Sequence, residues 1–324
     1  MGRAGALVLV LAAVLALGQA LIGTATPARP VAARSVPRAS ARVVAPPARP
    51  FLALSDAALP AQASPPAEVV PAGRQSVDVP ILMYHYIRVN PNPGDALGFA
   101  LSVMPGDFAA QMGWLAANGY HTVDLQDLVT YFETGRSLPS RPVVLTFDDG
   151  YEDFYTAAYP VLRAYGFTAV AYVITGLLGA GGYLTADQLV QLDAGGIEIG
   201  AHTVSHPDLT RLPAAEVQRE VADSKAMLEG LLRHPVLDFC YPSGKTSPAV
   251  VQQVEAAGFQ SATTTAPGIG HAFGNRFTWN RVRVSGGESL AAFIQSLGAV
   301  EPAIPAPTPP PRTPGPALRG FARE

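Results

Sequence analysis

Pro142-Val143-Val144-Leu145-Thr146-Phe147-Asp148-Asp149-Gly150 is an apolar run that stops at two acids and a glycine. The run is too short for a helix and lacks alternation. It fits a strand buried on both faces, as in a parallel sheet. On extended backbone, the adjacent carboxylates of Asp148 and Asp149 point to opposite sides. One is then free to hold a cation while the other acts as a base. Gly150 permits a tight turn or the close approach of a ligand. A solvated Asp-Gly turn is the competing reading of these three residues.

Outward from this run, short apolar stretches alternate with helical periodicity. Strands are expected at Pro80–Tyr84, Thr168–Ile174, Ile197–Ala201, Leu237–Tyr241, Gln260–Thr263 and Val282–Val284. Helices are expected at Asp107–Asn118, Asp124–Glu133, Glu152–Tyr165, Thr185–Asp193, Pro213–Arg233, Ser247–Ala257 and Ser289–Leu297. The cap residue Thr185 and the glycines Gly135 and Gly166 mark the ends of three of these helices. Six or more strand–helix units over this length predict an α/β fold closed, or nearly closed, into a barrel. In such a barrel, chemistry belongs at the C-terminal ends of the strands.

The net charge of −3, with no basic stripe, argues against a nucleic-acid partner. Cys240 is the one cysteine, so neither an internal disulfide nor a CxxC zinc site is available. The uncharged apolar run from about Ala6 to Ile22 reads as a secretory signal peptide or as a retained membrane anchor. Residues 26–77 and 301–324 are rich in Pro and lack periodicity, and are read as a disordered spacer and tail around one domain, 78–300.

His202 and His206 follow the strand Ile197–Ala201. Their four-residue spacing puts both imidazoles on one face if the segment makes a helical turn. Imidazole is the commonest neutral metal ligand. One carboxylate and two histidines leave coordination positions open, which is the pattern of a catalytic metal centre. Such a metal acidifies bound water and polarises a carbonyl. The Tyr241-Pro242-Ser243-Gly244 loop ends another strand, and its amides could face a developing oxyanion. His85 ends the first strand at the same barrel mouth and could protonate a leaving amine. His121 falls on the opposite face, His234 in a helix-to-strand loop, and His271 after a Gly-rich loop where exposure is expected.

In this order, Thr146–Gly150, His202–His206 and Tyr241–Gly244 resemble the polysaccharide deacetylases with the NodB homology domain, carbohydrate esterase family 4. Ile81-Leu82-Met83-Tyr84-His85, Glu198–His202 and His206-Pro207-Asp208-Leu209 extend the resemblance over roughly Pro80 to Leu297. It implies a distorted (β/α)7 barrel and release of acetate from a glycan carrying N-acetyl groups. It also implies Asp148 as the general base, and Asp149, His202 and His206 as holders of a divalent metal, usually zinc and sometimes cobalt or nickel. The Tyr241–Gly244 loop would contact the oxyanion through an amide such as that of Ser243.

Two features depart from the common family pattern. Cys240-Tyr241-Pro242-Ser243-Gly244 stands where many members have Arg-Pro-Pro-Tyr-Gly, so the arginine beside the base is missing. Arg281 is the candidate to return a guanidinium there, with a surface charge as its competing reading. No late Leu-x-x-His follows either; His85 fits the arrangement of the poly-N-acetylglucosamine deacetylase subgroup, where the acid sits at the first strand. The expectation is a monomeric enzyme acting on polysaccharide, outside the cytoplasm or tethered to a membrane. An O-acetyl esterase on the same fold and an inactive glycan-binding module are the rival functions.

Overall fold

In the computed structural model the described residues are 76–298, with residue 93 excepted. The apolar segment, the spacer up to residue 75 and the C-terminal tail lie outside them.

Seven parallel strands close into a barrel: β1 (Ile81–Tyr84), β2 (Pro142–Phe147), β3 (Val170–Val173), β4 (Glu198–Ala201), β5 (Asp238–Cys240), β6 (Ser261–Pro267) and β7 (Trp279–Arg283). Each strand pairs with the next in sequence. The ring shuts where β1 lies between β2 and β7, with Ile81 opposite Val144 and Leu82 opposite Val282. The barrel is distorted: β4 and β5 share one registered pair, Ala201 with Phe239. The register of β6 on β7 shifts between Thr263 and Pro267.

The strand β2 explains how the site is aimed. Val143, Leu145 and Phe147 belong to the large cluster packed under the outer helices. Val144 belongs to a second cluster with Ile81, Val170, Tyr172, Cys240 and Trp279. Successive side chains alternate across a strand, so the next two inward positions are Thr146 and Asp148. The second cluster also takes in Leu125, Leu128 and Val129 of the helix Leu125–Thr134, which covers the N-terminal end of the barrel. Each buried aromatic or aliphatic side chain here contributes roughly 1.5–3 kcal/mol.

Most helices start and stop where the sequence marks them. Thr185 caps Ala186–Ala194 through the amide of Gln188, and Gly135 and Gly166 end their helices in the left-handed conformation. The continuous helix expected from Glu152 to Tyr165 contains a π-turn at Phe154–Ala158. Pro160 stands two residues beyond it and has no N–H to donate back into the turn, which favours an irregular preceding turn. The last strand begins at Trp279, three residues before the expected Val282. That shift places Arg281 inside the barrel wall.

Candidate active site

All the candidate residues except Arg281 lie at or beyond the C-terminal strand ends. Asp148 continues the β2 ladder, its amide donating to the Tyr84 carbonyl at 2.9 Å. Its carboxylate enters the lumen and is 4% exposed, while Arg281 is 1% exposed. Arg281 donates Nη1 to Asp148 Oδ1 at 2.7 Å and Nη2 to Oδ2 at 2.8 Å. Its Nε reaches the Thr264 carbonyl at 2.8 Å, Nη1 also reaches Thr146 Oγ1 at 3.0 Å, and Nη2 also reaches Cys240 Sγ at 3.1 Å. A guanidinium has five donors, and these five contacts occupy them all. Thr146 gives its own hydroxyl proton to the Leu82 carbonyl, so its oxygen is free to accept. Burial opposes ionisation of Asp148, but the Arg281 charge and its two bonds outweigh it and hold the carboxyl well below the usual range.

The chain then turns sharply. Asp149 has φ +76° and Gly150 also has φ +76°. The two acids are therefore divided by a left-handed turn rather than by the alternation of an extended strand. A side chain other than glycine in this region carries strain, and such strain concentrates at functional sites. At Gly150 a Cβ would stand 3.3 Å from Val173 Cγ1, so the turn also packs tightly on β3.

Asp149 Oδ1 lies 3.4 Å from His202 Nε2 and 3.6 Å from His206 Nε2. The histidines converge, but not on a helix: Thr203 at φ +67° and His206 at φ +59° make an irregular loop. The positions that bring them together escape a helical reading. Thr203 Oγ1 accepts from the His206 amide at 2.9 Å. Glu220, on the helix Ala214–Leu232, accepts from the amides of Val204 and Ser205 at 2.9 and 2.8 Å and from the Ser205 hydroxyl. No sequence motif pointed to Glu220.

His202 is 1% exposed and its Nδ1 lies 2.7 Å from the Cys240 carbonyl oxygen. A carbonyl can only accept, so Nδ1 carries a proton and Nε2 is the ring nitrogen turned toward Asp149. Burial opposes a second proton on this ring, but Cys240 and Asp149 favour it and prevail. His85 Nε2 stands 3.8 Å from Asp148 Oδ2. Burial lowers its proton affinity against the opposing pull of Asp148.

Pro242–Gly244 forms a tight turn with Ser243 at φ +55°. The amides of Tyr241, Gly244 and Lys245 donate to the carbonyls of Thr263, Tyr241 and Pro242. Ser243 is left, among the described residues, as the loop amide without a backbone acceptor.

The other histidines stay away from this centre. His121 holds the Ser140 carbonyl and His234 pairs with Asp193 near the surface. His271, expected to be exposed, is 1% exposed, with Nε2 on the Val79 carbonyl at 2.8 Å. The cause is an added strand pair: Val77–Asp78 lies antiparallel to Gly270–His271 and covers it.

Among the described residues, two sets of donors lie close enough to hold a cation: Asp149, His202 and His206, and Asp148, His202 and Cys240. Arg281 decides between them. Its guanidinium already occupies both oxygens of Asp148 and touches Cys240 Sγ, so the second set is filled by a positive charge. In the first set, two ligand atoms each about 2.0–2.1 Å from a tetrahedral centre would lie about 3.3–3.4 Å apart. The observed 3.4 and 3.6 Å fit that spacing.

The polysaccharide deacetylase family model matches residues 135–262. YxkH of Bacillus subtilis, a protein assigned to the polysaccharide deacetylases, is 34% identical over 222 residues, which cover 68% of this chain and 77% of its own. The chain belongs to the polysaccharide deacetylase family. The solved structure of the Streptococcus pyogenes deacetylase PplD, in complex with acetate, superposes with a TM-score of 0.64 and 31% identity. The match covers 70% of this chain and 99% of that one. A shorter match links the chain to the Escherichia coli poly-beta-1,6-N-acetyl-D-glucosamine N-deacetylase, 41% identical over 70 residues. That stretch is 22% of this chain and 10% of the relative. The family's fold, a closed barrel of seven parallel strands, is the one described above.

Proposed function

We propose that the protein is a metal-dependent hydrolase that removes acetyl groups from the nitrogens of an N-acetylglucosamine-containing polysaccharide. The observation that carries this reading is the division of two neighbouring carboxylates between two kinds of partner. Asp148 is clamped by Arg281, while Asp149 faces two imidazoles.

Asp149, His202 and His206 would hold the metal, with zinc the first choice and cobalt or nickel possible. A divalent cation there supplies Lewis acidity to an acyl oxygen and acidifies water, so a carboxylate of low basicity suffices as proton acceptor. Asp148 stays ionised at neutral pH because of Arg281, and takes the proton of the attacking water. Arg281 touches no reacting atom; it positions and ionises the base. His85 gives its proton to the departing nitrogen as the carbon–nitrogen bond breaks, and its lowered proton affinity favours that transfer. The Ser243 amide faces the oxygen on which negative charge develops. The products are acetate and a free glycan amine.

The same proposal places the enzyme at the cell envelope or outside the cell, on the strength of the apolar run Ala6–Ile22. The decisive experiment measures acetate release from poly-N-acetylglucosamine, chitin oligomers, peptidoglycan and O-acetylated xylan, with and without chelator. Chelator-sensitive release from an N-acetylated polymer is expected. Release from xylan alone, or release indifferent to chelator, would overturn the reading.

A further inference from the structure

Beside the catalytic candidates the barrel mouth carries a column of aromatic rings that the mechanism does not use. Tyr86 follows His85 directly, and Tyr151 follows the Asp149–Gly150 turn. Their rings stack with centroids 3.6 Å apart and planes 20° from parallel. The Arg88 guanidinium covers the other face of Tyr86, 3.2 Å from its centroid. Tyr183 extends the column on the far side, 5.1 Å from Tyr151 and tilted by 36°. The backbone fixes this order. Tyr151 and Tyr183 form an antiparallel bridge, Leu184 donates its amide to the Gly150 carbonyl, and Glu152 donates to Gly182, both at 2.9 Å. All three tyrosines are partly exposed.

Nearly parallel, face-to-face rings are not the arrangement that two aromatics choose for themselves. A cation over one face offsets part of that cost. The outer end of the column is different. Among the described residues Tyr183 has Tyr151 as its one aromatic neighbour, and a Cβ built on Gly181 or Gly182 would meet no atom within 4 Å. Tyr183 is thus a partly exposed ring at the end of the column, beside a loop with open space around it and close to the turn that carries Asp148 and Asp149.

We propose that Tyr183, backed by Tyr151, Tyr86 and Arg88, is a glycan subsite that takes a pyranose ring neighbouring the sugar being deacetylated. This deepens the function proposed above and rests on it. An equatorially substituted pyranose presents a flat face of C–H groups, which packs on an aromatic face while its hydroxyls stay in water. Such a platform adds affinity for a polymer and nothing for a single sugar.

The test measures equilibrium binding of β-1,4- and β-1,6-linked N-acetylglucosamine pentamers to the full chain in chelator, where turnover is absent, and separately acetate release. Tyr183→Ala and Tyr183→Leu should weaken pentamer binding about ten-fold, the worth of one good aromatic contact. Tyr183→Phe should bind as the wild type, and N-acetylglucosamine itself should bind all four proteins alike. With the metal present, the first two variants should raise KM for the pentamer and leave kcat unchanged. Wild-type affinity in folded Tyr183→Ala or Tyr183→Leu overturns the subsite, as does failure of the wild type to bind either pentamer. Pentamer binding that depends on Tyr183 without any acetate release would instead contradict the proposed function and leave the subsite standing.

Discussion

The two ends of the barrel each carry buried acids, and they treat them in opposite ways. At the mouth, Asp148 meets a guanidinium and Asp149 meets two imidazoles, and both carboxyls are held below their usual range despite burial. At the N-terminal end, Glu198 opens β4 and Asp238 opens β5. Asp238 accepts from Gln126 at 2.8 Å and from the Ser261 hydroxyl, and Glu198 accepts from the Leu125 amide at 3.3 Å. Burial and the adjoining carboxyls of Asp238 and Asp124 push Glu198 well above its usual range. Burial and Asp127 push Asp124 up to about 6. Burial disfavours charge at both ends; the partner decides whether the charge survives. At the mouth, Arg281 and the His202 imidazole keep the two acids ionised. At the floor, Glu198, with its raised proton affinity, and Asp238 tie the strands to the helix Leu125–Thr134 by hydrogen bonds.

The largest disturbance of this contrast comes from removing the mouth's cation. Arg281→Met leaves Asp148 buried and unpaired, which should cost about 3–5 kcal/mol in urea unfolding and nearly all acetate release. Adding Asp148→Asn should recover most of that stability but none of the activity, a coupling read from the double-mutant cycle. An Arg281→Met protein as stable as the wild type would show that the pair does not govern the mouth.

A smaller effect, and one of opposite sign in pH, is expected at the floor. Asp148 has a depressed folded-state pKa. Its contribution is complete above the unfolded value near ~4 and is lost as pH falls toward the folded value. Glu198 has a raised folded-state pKa. Its contribution is complete below the unfolded value near ~4.3 and is lost as pH rises through the raised value. Glu198→Gln should therefore flatten the loss of stability as pH rises above that unfolded value, and should raise stability at neutral pH. An unchanged pH profile would place the titration elsewhere.

The smallest effect belongs to an exposed ion pair with neither role. Lys245 lies 2.8 Å from Asp208 at the surface. Lys245→Ala should leave stability almost unchanged, since water screens such pairs. A larger loss would mean that surface charge carries more weight here than burial and partner do.

Much of the barrel was legible because its strands are buried on both faces and read as short apolar runs between capped helices. The site was legible where chemistry needs a residue type at a strand end, as with Asp148, Asp149, His202 and His206. What escaped the sequence is what depends on backbone handedness and distant contacts. The left-handed φ of Asp149 and the loop that brings His206 onto Asp149 have no periodic signal. Glu220 acts from another helix, and Glu198 and Asp238 lie 40 positions apart but start adjacent strands. His271 looked exposed because it follows a glycine-rich loop, and a two-residue strand pair buries it. Arg281 was a candidate because the resemblance left the base without its usual arginine; its five contacts follow from where β7 begins.

The central claim is that the neighbouring acids divide the work, Asp148 moving the proton and Asp149 helping to hold the metal. It is tested most directly by assaying metal content and acetate release on one preparation of Asp148→Asn. The account predicts metal at the wild-type stoichiometry and acetate release reduced by about 10²–10⁴-fold. Loss of the metal, or release at the wild-type rate, would contradict it.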